Sequence, residues 1–282
     1  MSAILPENAE DACRKLAAGQ PALVWRKIVA DTETPVGAAL KLIVPGRGDF
    51  LLESVQGGEV RGRYSLLGLD PDLMFRATGA AAEVNRQWRH DRAAFQPLPG
   101  NALAELRALA NACRIDVPKA LPSALACLVG YFGYETIGLV ETLPRAPQSE
   151  NELPDMLFGR PTLILVFDRL SDDLFCIAPV WAEGSGDPAR AVELAGERID
   201  DALRRLQGPA PEDFRTTELP EMALNPVMAE ADYGAMVLRA KEYITAGDIF
   251  QVVLAQRFTC PFPLPPFALY RALRRVNPSP FL

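Results

Sequence analysis

The spacing of apolar residues changes character several times along the chain. Residues 8–18 carry theirs at helical intervals, and Gly19 follows as a stop. In 23–29 the apolar positions partly alternate, which predicts an extended segment. A run at 36–44 comes next, closed by Pro45-Gly46-Arg47-Gly48. Short runs at 50–55, 63–69, 73–77 and 81–88 are each punctuated by Gly, Pro or Asp. The whole stretch has the pattern of an antiparallel meander.

Residues 102–113 break that pattern. Leu103, Leu106, Leu109 and Ala110 fall at helical spacing, so a helix is expected to cover the sheet. The continuous apolar run in 124–135 predicts a central strand covered on both sides, with Gly130 and Gly133 leaving room for close approach. Two further strands are predicted at 161–168 and 174–181, joined by a tight turn at 170–173. Asp187 and Pro188 suit the N-cap and first position of a helix whose apolar stripe is Val192, Ala195, Ile199, Ala202, Leu203 and Leu206.

Residues 207–221 are rich in proline and breakers and read as a linker. Beyond it, a helix starts near Met228 or Ala229, with no side-chain cap at Ala229, and stops at Gly247. Residues 249–258 are apolar on both faces, which predicts another central strand. A final helix at 266–276 ends in Arg274 and Arg275, cations that suit its C-terminal dipole. The elements predict an α+β chain of largely antiparallel sheets with covering helices. Residues 1–206 form a first domain, 207–224 a linker, and 225–282 the start of a second.

Composition narrows the function rather than the fold. The chain has 282 residues, 49 % hydrophobic and 23 % charged, with a net charge of −7. That acidic balance argues against broad nucleic-acid binding. No apolar run reaches a membrane span, and the first eleven residues lack the basic start and apolar core of a signal peptide. The cysteines (Cys13, Cys113, Cys127, Cys176, Cys260) form no CxxC, and His90 is the one histidine, so a structural zinc site is not expected. A scattered, odd set fits reduced thiols in the cytoplasm. Cys127 and Cys176 sit in apolar runs and are expected to be buried.

The most unusual chemistry lies at 51–68. An apolar strand runs into Glu53 and Ser54. A Gly57-Gly58 turn, a cationic segment with Arg61 and Arg63, and a second apolar strand follow. A carboxylate, a hydroxyl and a guanidinium at the rim of an apolar hairpin can hold a small zwitterion. Glu53 would face an ammonium and Arg63 a carboxylate. An ordinary charged surface hairpin has the same composition.

Leu51-Leu52-Glu53-Ser54 and the strand after it resemble the LLES motif of the anthranilate synthase component I family, the chorismate-using subunit of tryptophan biosynthesis. Gly130-Tyr131-Phe132-Gly133-Tyr134-Glu135 is similar to the family's GYFGYD segment, although core packing is the preferred reading of it. AGDIFQVVLAQRF at 246–258 is the most specific signature, and Asn277-Pro278-Ser279-Pro280-Phe281-Leu282 is similar to NPSPYM.

The resemblance covers essentially the whole chain but only the N-terminal portion of the family. It implies an L-tryptophan feedback site with Glu53 and Ser54 on one wall, to which the charge pattern of the hairpin adds Arg63. Asn277, Pro278, Ser279, Pro280, Phe281 and Leu282 form the other. It also implies conversion of chorismate and ammonia to anthranilate and pyruvate with Mg²⁺, the ammonia coming from a glutamine amidotransferase subunit, component II. The family's catalytic histidine, magnesium-binding glutamates and glycine-rich loops lie beyond position 282. No catalytic residue or metal ligand is therefore expected in this chain, and it is not expected to turn over chorismate alone. His90, in a polar stretch, reads as an exposed loop residue. Three alternatives remain: the related aminodeoxychorismate synthase of the folate branch, a stand-alone amino-acid-binding module, and a fragment with no formed pocket.

Overall fold

The computed structural model describes residues 8–54, 62–143, 153–183, 186–211, 222–279 and 282. Its elements run α1 (Ala9–Ala17), β1 (Ala22–Val29), α2 (Pro35–Leu42), β2 (Phe50–Glu53), β3 (Tyr64–Thr78), β4 (Ala81–Asn85), β5 (Gln96–Pro97) and α3 (Ala102–Ala112). Then follow β6 (Val129–Phe132), a 3-10 turn (Tyr134–Leu139), β7 (Met156–Asp168), β8 (Asp173–Val180) and α4 (Pro188–Leu206). The last are β9 (Asn225–Pro226), α5 (Glu230–Ala246), β10 (Phe258–Thr259) and α6 (Pro266–Val276).

Two compact units are present: Met1–Pro211 with Arg274–Leu282, and Glu212–Leu273. The boundary passes through α6, so Arg274 and the segment after it belong to the first unit. Much of the expected linker, 212–221, lies outside the described residues.

The first unit is built on one antiparallel sheet in the order β1-β8-β7-β3-β4-β5, with β2 added on β3 and β6 on β7. Its spine is the pair β3 and β7, in register from Tyr64↔Asp168 to Ala77↔Met156. On one face Leu23, Leu66, Ile164, Val166, Phe175 and Ile177 pack with Leu121 and Cys127. Farther along, Leu106 and Leu109 of α3 close over Leu73, Phe75, Val84 and Met156. Helix α4 packs on β8 and β1, and α2 packs on β3. Asp187 caps α4 by accepting a hydrogen bond from the Ala189 amide (3.2 Å), with Pro188 in its first turn. The stripe Val192, Ala195, Ile199, Ala202 and Leu206 is buried beneath it.

Four expectations are corrected. The 36–44 run is mostly helix α2, because Thr34 accepts from the Gly37 amide (3.0 Å) and Pro35 supplies a preset first turn. The separate strands at 63–69 and 73–77 are one strand, β3. Asp70 and Pro71 mark not a turn but a bulge, where the register with β7 shifts between Pro71 and Leu73 and Asp70 takes φ 50°. The strand within 124–135 is the four-residue edge strand β6, not a covered central one. Phe132 is 59 % and Tyr134 91 % exposed, so core packing does not explain that segment. Finally, 249–257 forms no ladder among the described residues, and only Phe258 and Thr259 pair, with Asn225 and Pro226. An apolar run becomes a strand only when a neighbouring edge accepts its hydrogen bonds.

In the second unit, α5 starts without a side-chain cap at Ala229 and ends at Gly247, whose φ of 84° is a left-handed conformation that glycine adopts without strain. None of its described residues is buried.

Candidate functional site

The site is assembled around the start and end of β2. At its start, the Asp49 carboxylate accepts from the Val44 amide (2.8 Å) and the Asp70 amide (2.7 Å) and is gripped by Arg47 (2.6–2.9 Å). One buried carboxylate thus ties the entry of β2 to the bulge of β3. From there Phe50↔Gly68, Leu51↔Leu67, Leu52↔Leu66 and Glu53↔Ser65 pair in register. The partner of Glu53 is Ser65, so the connection spans 54–64 and is longer than a two-residue turn. Gly57, Gly58 and Arg61 lie outside the described residues.

Glu53 closes the strand from below the surface, with its side chain 3 % exposed. Its amide donates to the Leu282 carbonyl (2.8 Å), and the Leu282 amide donates back to the Glu53 carbonyl (2.9 Å). This reciprocal pair lays residue 282 along the edge of β2 opposite β3. Arg274, at the end of α6, donates from Nη2 to Glu53 Oε1 at 3.0 Å. Its Nε is buried with no hydrogen-bond partner, and so is the Ser65 hydroxyl across the ladder from Glu53. Opposed residues of an antiparallel pair project to the same face, so Glu53 and Ser65 share one side of the sheet.

The remaining expected residues are distributed unevenly. Ser54, Pro278, Ser279 and Leu282 are half-buried and Asn277 is exposed. Pro280 and Phe281 lie outside the described residues. Arg63 is already engaged. It donates from Nε and Nη2 to the two carboxylate oxygens of Asp168 (2.8 and 2.6 Å) and stacks 4.8 Å from the Tyr64 ring centroid. The Arg63 guanidinium beside Asp168 holds that carboxyl below the usual range, and Asp168 in turn raises the Arg63 pKa.

Sequence reasoning missed Arg274 and Ser65. Arg274 reads as a dipole partner of its own helix. The available signal was spacing: Phe267, Arg271 and Arg274 lie at helical intervals and are half-buried, whereas neighbouring Arg275 is exposed.

Other features compete weakly. A groove of roughly 370 Å³ is lined by Gly79, Tyr134, Glu135, Ile137, Gly138, Leu139 and Leu143, with Glu135 its one titratable carboxylate. His90 is exposed. Among the described residues, no group of three or more His, Cys, Asp or Glu could hold a metal ion, and no helix is long and apolar enough to cross a membrane.

Comparison with known proteins bears on this corner. Residues 49–282 match the family described as chorismate binding enzyme. Anthranilate synthase component 1 of Cereibacter sphaeroides is 46 % identical over 268 residues, covering 94 % of this chain and 53 % of the relative. The same component of Thermus thermophilus is 37 % identical over 265 residues, covering 92 % and 52 %. The crystal structure of anthranilate synthase component I from Streptococcus pneumoniae superposes with a TM-score of 0.61 at 25 % identity, covering 90 % of this chain and 53 % of that one. The α+β architecture is therefore that of anthranilate synthase component I. The chain spans about half the length of the curated relatives it matches. With the matched region running from the start of β2 through the C-terminal segment, the chain belongs to the chorismate-binding enzyme family.

Proposed function

We propose that this chain carries the L-tryptophan feedback site of an anthranilate synthase large subunit. The activity served is conversion of chorismate and ammonia to anthranilate and pyruvate in the cytoplasm. The observation that supports it most is the reciprocal bonding of Glu53 with Leu282, joined by the Arg274–Glu53 ion pair. Two segments far apart in sequence, each with a family motif, meet at one buried carboxylate.

In this reading Glu53 receives the amino acid's ammonium, Ser54 hydrogen-bonds it, and the 277–282 segment contributes backbone and apolar contacts. Arg63 is already paired with Asp168 through Nε and Nη2 and could join only through its remaining donors. The ligand acts on catalysis by favouring one conformation of the enzyme over another, not by occupying a reacting atom. Mg²⁺ belongs to the family reaction. We assign neither its ligands nor the catalytic groups to residues of this chain. An amidotransferase subunit supplies ammonia in the complete enzyme.

Thermal denaturation of the chain with L-tryptophan, D-tryptophan and L-phenylalanine tests this. A ligand at one hundred times its Kd stabilises the folded state by about 2.7 kcal/mol. L-tryptophan alone is expected to raise Tm, and Ser54→Phe to abolish the rise. A rise that survives Ser54→Phe, or that D-tryptophan matches, contradicts the assignment.

A further inference from the structure

We infer that Arg274, rather than Arg63, receives the carboxylate of the bound amino acid, and that Glu53 and Arg274 form a preformed template for a zwitterion. The inference rests on the tryptophan reading above and assigns the residue that makes it specific for an α-amino acid.

Four observations carry it. Arg63 already spends Nε and Nη2 on the two oxygens of Asp168, so its side-on fork is filled and its charge is matched by that carboxylate. Arg274 touches Glu53 through one nitrogen, Nη2, and its buried Nε has no hydrogen-bond partner. A guanidinium holding a carboxylate at one point can still offer its remaining donors. The Ser65 hydroxyl is 1 % exposed, also without a partner, and stands opposite Glu53 on the same face. Buried polar atoms are paired in native structures as a rule, and these two unpaired donors flank one ion pair, where a polar ligand would satisfy them. Last, Leu282 is bonded to the main chain of Glu53, which holds the tail against this corner without using either side chain.

The opposed charges of the pair fit the two ends of an amino acid. An incoming ammonium replaces the Arg274 guanidinium at Glu53, and the ligand carboxylate replaces Glu53 at Arg274. One Glu53–Arg274 ion pair is exchanged for two ion pairs to the ligand. The Ser65 hydroxyl then hydrogen-bonds the ligand's polar end. A decarboxylated or amidated analogue opens the Glu53–Arg274 pair without giving Arg274 a new anion.

The test is isothermal titration of the full chain with L-tryptophan, L-tryptophanamide and tryptamine, for the wild type, Arg274→Gln, Arg274→Lys and Arg63→Gln. The wild type is expected to bind L-tryptophan about tenfold to a hundredfold more tightly than either analogue, the range for loss of a charged hydrogen bond. Arg274→Gln is expected to erase that discrimination, Arg274→Lys to restore part of it, and Arg63→Gln to leave it intact. A merely structural role for Arg274 would weaken all three ligands equally and overturns the inference. Loss of discrimination in Arg63→Gln instead also overturns it, while the tryptophan site stands. Failure of the wild type to bind L-tryptophan overturns both. If neither Arg274 variant folds, wild-type affinities that are equal for acid and amide are sufficient to refute the template.

Discussion

Glu53 and Leu282 exchange two main-chain hydrogen bonds, 2.8 and 2.9 Å long, so residue 282 lies against the edge of β2. The Arg274–Glu53 pair sits beside that bridge. Removing Arg274 takes a cation away from a nearly buried carboxylate, which is more costly than the pair's net contribution. Arg274→Met is expected to cost about 2–3 kcal/mol in urea denaturation. Adding Glu53→Gln to Arg274→Met is expected to recover part of it, giving a non-additive cycle. Additive costs would show that the two side chains do not depend on each other.

The Arg63–Asp168 pair gives a pH dependence of definite sign. The guanidinium lowers the Asp168 pKa in the folded state. Its contribution to stability is therefore complete above the ordinary carboxylate pKa of about 4 and is lost as pH falls through the lower folded value. Arg63 is partly exposed, which limits the effect. Asp168→Asn is expected to lower Tm at pH 7 by a few degrees, while the difference from wild type shrinks below about pH 4. A gap that widens toward acid would reverse the assignment.

Burial pushes the Cys127 and Cys176 thiols up to about 12, and raises that of Cys113 as well. Thiolate is the reactive form, so these three are expected to resist a disulfide reagent at pH 8 in the native state. Half-buried Cys13 and Cys260 are expected to react. Mass spectrometry before and after denaturation counts the labels. Native labelling at Cys176 would place that strand elsewhere.

Much of this architecture is written locally. The Asp187-Pro188 helix start, the Gly247 stop and the 170–173 turn come from residues whose side chains or φ angles act within one turn of the chain. Antiparallel pairing of β2 with β3 follows from two apolar runs near in sequence. The α2 segment was misread because Thr34 and Pro35 outweigh apolar continuity. The β6 and 249–257 errors have one cause: a run of apolar residues does not say whether a partner edge is present. Glu53 and Ser54 stand out in the sequence through their motif. Ser65 and Arg274 do not, because ladder register and a contact spanning most of the chain bring them to Glu53.

Close approach rather than composition makes Gly130 necessary. A Cβ there would lie 2.0 Å from the Leu157 carbonyl oxygen and 2.6 Å from the Phe158 Cα. Gly130→Ala must push β6 away from β7 and is expected to cost about 1–3 kcal/mol. Gly138→Ala meets nothing within 4 Å and is the control, expected near neutral. Equal stability of the two variants would contradict the β6–β7 contact.

Phe75 and Phe250 bracket the range of burial, at 0 % and 94 % exposed. Phe75→Ala is expected to cost about 3–5 kcal/mol. Phe250→Ser is expected to stay within about 0.5 kcal/mol of wild type, read by chemical denaturation. A large loss from Phe250→Ser would mean that 249–257 is packed in solution.

The most direct measurement is amide hydrogen exchange of the chain with and without L-tryptophan. Slowed exchange is expected in both 50–54 and 277–282, with β8 unchanged. Binding that protects other segments and leaves either of these two unaffected would contradict a tryptophan site built where Glu53 meets the C-terminal tail.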